Sequence, residues 1–291
     1  MPHTIFVITV IASRVTSMKN PMKLLSLFLL LLPSAAIAQT PIFELTFDTN
    51  LTGQQGEIPV SATNVSLVSS DNGMAALFGM NSQLVFGSQN NINSQVGTID
   101  FLITPNWNGN DSITHEFLVW DSIPADNGGG IVFSKDGANN LRQIYNRFSQ
   151  DGQPEIGSSI NVASSWIAGE THHVAYSWDT NQQRIRQYVD GEIVADTTWD
   201  GTQRISRRFT DNVVSATFVQ PSTFSFLPTI TRPDFRIGGN LDGTLDELRI
   251  FEEELTLSQI SSRFSSLTAV PEPNSLIVLP FIALLLVRRS R

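Results

Sequence analysis

From His173 to Trp178 the side chains alternate, with Val174, Tyr176 and Trp178 on one side and His173, Ala175 and Ser177 on the other, as in a pleated strand with one buried face. Asp179-Thr-Asn181 turns the chain and residues 184–189 form a second run. Asp190-Gly191, the dipeptide that best tolerates positive φ in a two-residue type I′ loop, then returns it through residues 192–195. Similar short runs recur at 42–47, 65–69, 75–78, 83–86, 98–103, 116–120, 130–134 and 141–148, and almost every gap carries Gly, Asn, Asp or Pro. One helix stands out near the end. Thr256 and Gln259 make a capping box, with Leu257, Ile260 and Phe264 at helical spacing for one buried face. Many short strands and one helix predict an all-β, two-sheet antiparallel sandwich. Residues 197–232 break the rhythm. At some 35 residues the segment is far longer than ordinary loops, so it is either an insertion with strands of its own or a functional loop.

The order Gly169-Glu-Thr-His-His-Val-Ala-Tyr-Ser-Trp-Asp179, Val189-Asp-Gly191, Arg236-Ile-Gly-Gly239 and Gly243-Thr-Leu-Asp-Glu-Leu-Arg-Ile-Phe251 before a short helix resembles the laminin-G-like (LamG) branch of the concanavalin A-like lectins and glucanases. The resemblance spans residues 42 to about 267 and is dense from Gly169 onward. It implies a jelly roll whose terminal strands pair. One position departs from the pattern: such domains often carry Trp directly before the His-Val-Ala strand, where this chain has Thr171 and its Trp at 166.

The ends read differently. Residues 22–38 hold a basic start at Lys23, an apolar run over 24–32 and Ala36-Ile-Ala38, the three parts of a secretory signal peptide, with cleavage expected between Ala38 and Gln39. Residues 1–21 read as an over-extended start and residues 39–269 as the jelly-roll domain. In residues 270–291, Pro271-Glu272-Pro273 precedes a dozen apolar residues interrupted by Pro280, and the chain closes on Arg288, Arg289 and Arg291. A dozen is short for a membrane span, which needs about 20 residues. The order nevertheless resembles the PEP-CTERM sorting signal. That resemblance implies an exosortase-type membrane protease as partner and transient anchoring through the C-terminal segment, with the arginines cytoplasmic. The expected location is the cell envelope, cell surface or extracellular matrix.

Charge narrows the partners. Six of the 18 basic residues but only one of the 27 acids lie in the end segments, leaving 12 basic against 26 acidic residues in the domain. Such a surface disfavours nucleic acid and suits divalent cations. The chain has no cysteine, which excludes disulfides and thiolate metal sites. Paired carboxylates of the glucanase kind, two residues apart on one strand, are missing. Asp190 and Glu192 have that spacing but straddle the tight turn, and Glu252, Glu253 and Glu254 read as a solvated run. His172 and His173 point to opposite faces of their strand, a poor geometry for a shared metal. Asp48 and Asp246 become neighbours if the terminal strands pair, and two such carboxylates suit Ca²⁺. Trp107 and Trp199 lie in turn-like polar surroundings and are expected at the surface, while Trp120 and Trp178 read as core. With Arg207 and Arg208 they form the candidate site for a polysaccharide, anionic if the arginines contact it. The expected function is non-catalytic binding of carbohydrate or another envelope component. A structural or adhesive matrix protein and a polysaccharide-active enzyme are the alternatives, because fold alone does not select among them.

Overall fold

The computed structural model describes residues 39–71, 73–121, 130–145, 156–221 and 232–268. The expected signal peptide at 22–38 and sorting signal at 270–291 lie outside the described residues. Among the described residues no helix is long and apolar enough to cross a membrane.

The domain is an antiparallel β-sandwich with one short helix. In chain order its strands are β1 (Phe43–Leu45), β2 (Ser61–Ser70), β3 (Gly73–Gly87), β4 (Val96–Pro105), β5 (His115–Asp121), β6 (Gly130–Lys135), β7 (Asn140–Tyr145) and β8 (Ile156–Asn161). There follow β9 (His172–Asp179), β10 (Arg184–Val189), β11 (Glu192–Trp199), β12 (Gln203–Thr210), β13 (Val213–Pro221), β14 (Asp234–Gly238), β15 (Gly243–Phe251) and the helix α1 (Leu257–Thr268). Hydrogen bonding runs unbroken through β13-β12-β11-β10-β9-β4-β15-β3-β14-β5-β6-β7-β8, with β1 on β15 and β2 on β3.

This path folds over at β3. Its residues 76–78 pair with β15 and its residues 83–87 with β14. Between the two halves Asn81 takes φ 63°, and the Ser82 hydroxyl accepts from the Gly79 amide at 2.9 Å and donates to the Asn64 carbonyl at 2.7 Å. The strand thus leaves one layer and enters the other with its polar groups satisfied. The layers meet through aromatic side chains. Phe133 of β6 stacks on Tyr176 of β9 with centroids 4.3 Å apart, and Phe101 of β4 meets Phe117 of β5 edge-on at 5.8 Å.

The terminal strands do pair, Phe43 with Ile250 and Leu45 with Leu248. The helix begins as its sequence predicts. Gln259 accepts from the Thr256 amide at 2.7 Å, and the Thr256 hydroxyl accepts from the Gln259 amide at 3.3 Å. The helix is held down by Arg263, which ion-pairs with the fully buried Asp100 of β4 and lies 4.5 Å over the ring of Phe251. Burial alone would raise the pKa of Asp100, but the contacts with His173 and Arg263 outweigh it and leave the carboxyl lowered. Glu254, expected in a solvated acidic run, is instead engaged by Arg184 at 3.0 Å and Arg186 at 3.3 Å.

The β10–β11 loop is the expected type I′ turn, with Asp190 at φ 50° and Gly191 at φ 80° between the paired Val189 and Glu192. A β-carbon at Gly191 would stand 2.9 Å from the Phe264 ring of the helix. Gly191→Val therefore meets backbone strain and a clash together, and should lower unfolding free energy by about 2 kcal/mol. An unchanged urea midpoint would contradict this geometry.

Candidate functional site

Three arrangements bring chemistry-bearing side chains together. The first closes one end of the sandwich. His115, Trp107, Trp166 and His172 form a run of four near-parallel rings, with successive centroids 4.3, 5.5 and 4.7 Å apart. His115 bonds the Asn240 carbonyl at 2.7 Å and Asp111 at 2.6 Å, and the buried Lys135 also pairs with Asp111. Burial tends to raise the Asp111 pKa, yet the hydrogen bonds from Lys135 and His115 dominate and lower it. His172 binds Asp190 at 3.0 Å while His173 faces Asp100, so the two histidines do point apart. Trp107, expected at the surface, is 5% exposed, and its indole donates to the Leu241 carbonyl at 2.8 Å. Its polar surroundings in sequence are the turn residues Asn108 and Gly109; the ring itself turns inward as a plug. Asp190 is likewise occupied, receiving the His173 amide at 2.9 Å.

The second lies where β1 and β3 abut along β15. Asp246 accepts from Ser70 at 2.9 Å, and a β-carbon on Gly73 would come within 2.5 Å of the Asp48 carboxylate. Ser70 and Gly73 pair across the β2–β3 turn, so Asp48 and Asp246 approach the same hairpin. Burial, then the charges of Glu247 and Asp48, push the Asp246 pKa up to about 6 against the opposing Ser70 hydrogen bond. Among the described residues no group of three or more His, Asp or Glu is placed to hold a metal ion. Any cation here would rely on the two carboxylates with hydroxyl and backbone oxygens.

The third arises because the two layers, as far as their strands are described, differ in width. β8 is the last described strand of its layer and lies over β10 and β11. Gln187 donates to the Ser158 carbonyl at 2.7 Å, and Thr197 to the Gly157 carbonyl at 3.5 Å. The facing layer runs on through β12 and β13. Thr197 donates to Ser206 at 3.1 Å, Arg204 bonds Gln220, and the Arg208 guanidinium lies 5.9 Å from the Phe218 ring. These contacts put Arg204, Ser206, Arg208, Phe218 and Gln220 on one face, an open ledge beside the β8 edge that encloses a concavity of about 190 Å³. At its inner wall Ser158 is 3% exposed, and its hydroxyl has no hydrogen-bond partner among the described residues.

The expected paired charge of Arg207 and Arg208 separates here, because neighbours on a strand face opposite ways. Arg208 faces the ledge, while Arg207 turns to Asp196 at 3.7 Å. Burial raises the Asp196 pKa, and Arg186 and Arg207 counter it in part. Trp199, also expected at the surface, is 4% exposed and packs into the main core at the end of β11. Phe218, Gln220 and Ser158 were not singled out by sequence. A signal existed at Asp211-Asn212, whose φ values of 51° and 59° make the β12–β13 loop a type I′ turn.

No protein-family profile matches this chain, and no curated protein matches it in sequence. Solved structures do resemble it in fold. Domain 4 of AbnA, a GH43 extracellular arabinanase from Geobacillus stearothermophilus solved with arabinotriose, is 16% identical with TM-score 0.52, the match covering 77% of this chain and 98% of that one. The botulinum neurotoxin serotype D ligand-binding domain in complex with N-acetylneuraminic acid is 15% identical with TM-score 0.53, covering 80% and 52%. The neurotoxin DC binding domain in complex with SialylT is 13% identical with TM-score 0.52, covering 80% and 52%. This chain thus spans about half the length of the toxin domains it matches. At these identities the likeness establishes the all-β sandwich.

The acidic pair predicts a pH signature. Because the folded Asp246 holds its proton more tightly than the unfolded chain does, its destabilising effect is absent below about pH 4. It grows as pH rises and is complete above about pH 6. Asp246→Asn removes it. In metal-free buffer the variant should therefore gain on the wild type between pH 4 and 6.5. The gain should be about 1 kcal/mol, less than the ~2.7 kcal/mol of a two-unit shift, because solvent screens the rim of the site. Urea titrations across that range giving a constant difference would overturn the assignment.

Proposed function

We propose that this chain is an exported, non-catalytic surface or extracellular-matrix protein whose LamG-like jelly roll binds carbohydrate. The observation that carries this reading is the ledge, where an aromatic ring 51% exposed stands among hydroxyl, amide and guanidinium groups on a sheet face that no described strand covers. A sugar offers a ring face to stack and hydroxyls to fix, and these groups supply both. The reading also draws support from the fold neighbours, whose structures hold arabinotriose and N-acetylneuraminic acid. It is supported as non-catalytic by the engagement of Asp190 and Glu254 in structural contacts. A matrix role without a ligand draws on β13, a described edge strand with Val213, Val214 and Val219 exposed. Binding assays against the producer's own extracellular polysaccharide separate the two. Phe218→Ala should weaken binding at least tenfold with its thermal midpoint unchanged. Undiminished binding would return Phe218 to a structural role.

Calcium between Asp48 and Asp246 is part of the proposal, its chemistry being neutralisation of facing carboxylates. It predicts that millimolar calcium abolishes the pH-dependent difference between wild type and Asp246→Asn.

Export and exosortase sorting rest on Ala36-Ile-Ala38 and on Pro271-Glu272-Pro273 with Arg288, Arg289 and Arg291. Terminal sequencing of the exported protein should find Gln39 first and Arg288 to Arg291 removed. A mature protein beginning at Met1, or one whose location is unaffected by deleting residues 271–291, would overturn this part.

A further inference from the structure

Among the described residues most basic side chains are matched to acids, and Arg204 bonds Gln220. Lys135 meets Asp111, Arg142 meets Asp136, Arg184 and Arg186 meet Glu254, Arg207 meets Asp196, Arg236 meets Glu116, Arg249 meets Glu44 and Arg263 meets Asp100. Arg208 differs. Among the described residues its guanidinium makes no ion pair and no hydrogen bond, and its neighbour is the Phe218 ring at 5.9 Å, the outer limit of a cation–π contact. Strand alternation directs Asp196 to the opposite face with Arg207, so among the described residues no carboxylate pairs with Arg208.

From this we propose that the ledge selects an acidic sugar: a carboxylate-bearing unit of a polysaccharide, with its ring against Phe218 and its carboxylate received by Arg208. The inference rests on the carbohydrate reading above and adds the ligand class. The chemistry is specific. A guanidinium presents planar, paired N–H donors that fit the two oxygens of a carboxylate, whereas a neutral sugar would leave that charge unmatched. The partly exposed Ser206 hydroxyl and the exposed Gln220 amide on the same ledge are placed for the ring's own hydroxyl groups. Arg208 is thus a specificity-determining residue, and Phe218 a stacking platform indifferent to charge.

The probes are polygalacturonate and the same polymer with its carboxyl groups reduced to alcohols, so that ring type and linkage stay fixed. The full chain should bind the acidic polymer at least tenfold more tightly than the reduced one. Arg208→Gln should abolish that preference at an unchanged melting temperature while retaining the residual affinity for the reduced polymer. Arg208→Lys, which keeps the charge but not the paired donors, should restore only part of it. Phe218→Ala should weaken binding to both polymers alike. Equal affinity of the wild type for the two polymers, binding to neither, or a preference that survives in Arg208→Gln would each overturn the acidic-sugar assignment. Loss of binding in Phe218→Ala without any acid preference sinks the ligand class alone. Indifference to Phe218→Ala sinks the ledge as a carbohydrate site.

Discussion

An amphipathic sheet must cover its inner face, and among the described residues of this domain the covering strands stop short of those they face. One hydrogen-bonded ribbon doubles back at β3, so both layers are drawn from the same path, but β8 ends over β10 and β11 while the facing layer continues for two more strands. The residues change where the cover stops. Under β8 the inner face carries buried Gln187 and Thr197, whose amide and hydroxyl close the seam onto β8 carbonyls. Beyond it the same face carries Arg204, Ser206, Arg208 and Phe218. A polar seam is what lets the layers part there: an apolar one would leave a large greasy surface at the edge.

The opposite problem, sealing an end, is met with aromatic rings. His115, Trp107, Trp166 and His172 come from four separate positions around β4, β5 and the approach to β9, and their stacking fixes those segments relative to one another. Lys135 and Asp111 supply charge at the outer ring of that stack, where Asp111 stays partly in solvent and Lys135 does not. A buried ammonium without that carboxylate would be costly, so the stack and the ion pair depend on each other. The helix is held by the same logic through Arg263 and Asp100 on the far side of His173.

Much of this was legible from pattern alone. The His172–Asp179 strand, the Asp190-Gly191 turn and the Thr256 cap are local events, each decided by alternation, positive φ or a side-chain hydrogen bond within a few residues. The pairing of β1 with β15 was expected from the family resemblance alone. Exposure was less legible. Trp107 and Trp199 precede Asn-Gly and Asp-Gly turns, and turn composition describes where the backbone goes, not which way a large ring rotates at the strand's last residue. The ledge was hidden for another reason: which described strands have no described strand over them is a property of layer widths, and no local pattern in β13 reports where β8 ends.

The acidic excess of the domain and a cation held open on one face act over different distances. At physiological salt the Debye length is about 8 Å, so the many exposed carboxylates set a repulsive background for any anionic polymer at a distance but contribute little at the ledge itself. In contact, the balance is decided by groups within one strand spacing, and there alternation has sorted the charges: Asp196 with Arg207 below the sheet, Arg208 with Phe218 above it. The background field slows approach and disfavours non-specific adsorption of acidic chains elsewhere on the surface. Under the acidic-sugar proposal, selectivity comes from the face where, among the described residues, the Arg208 guanidinium has no carboxylate partner.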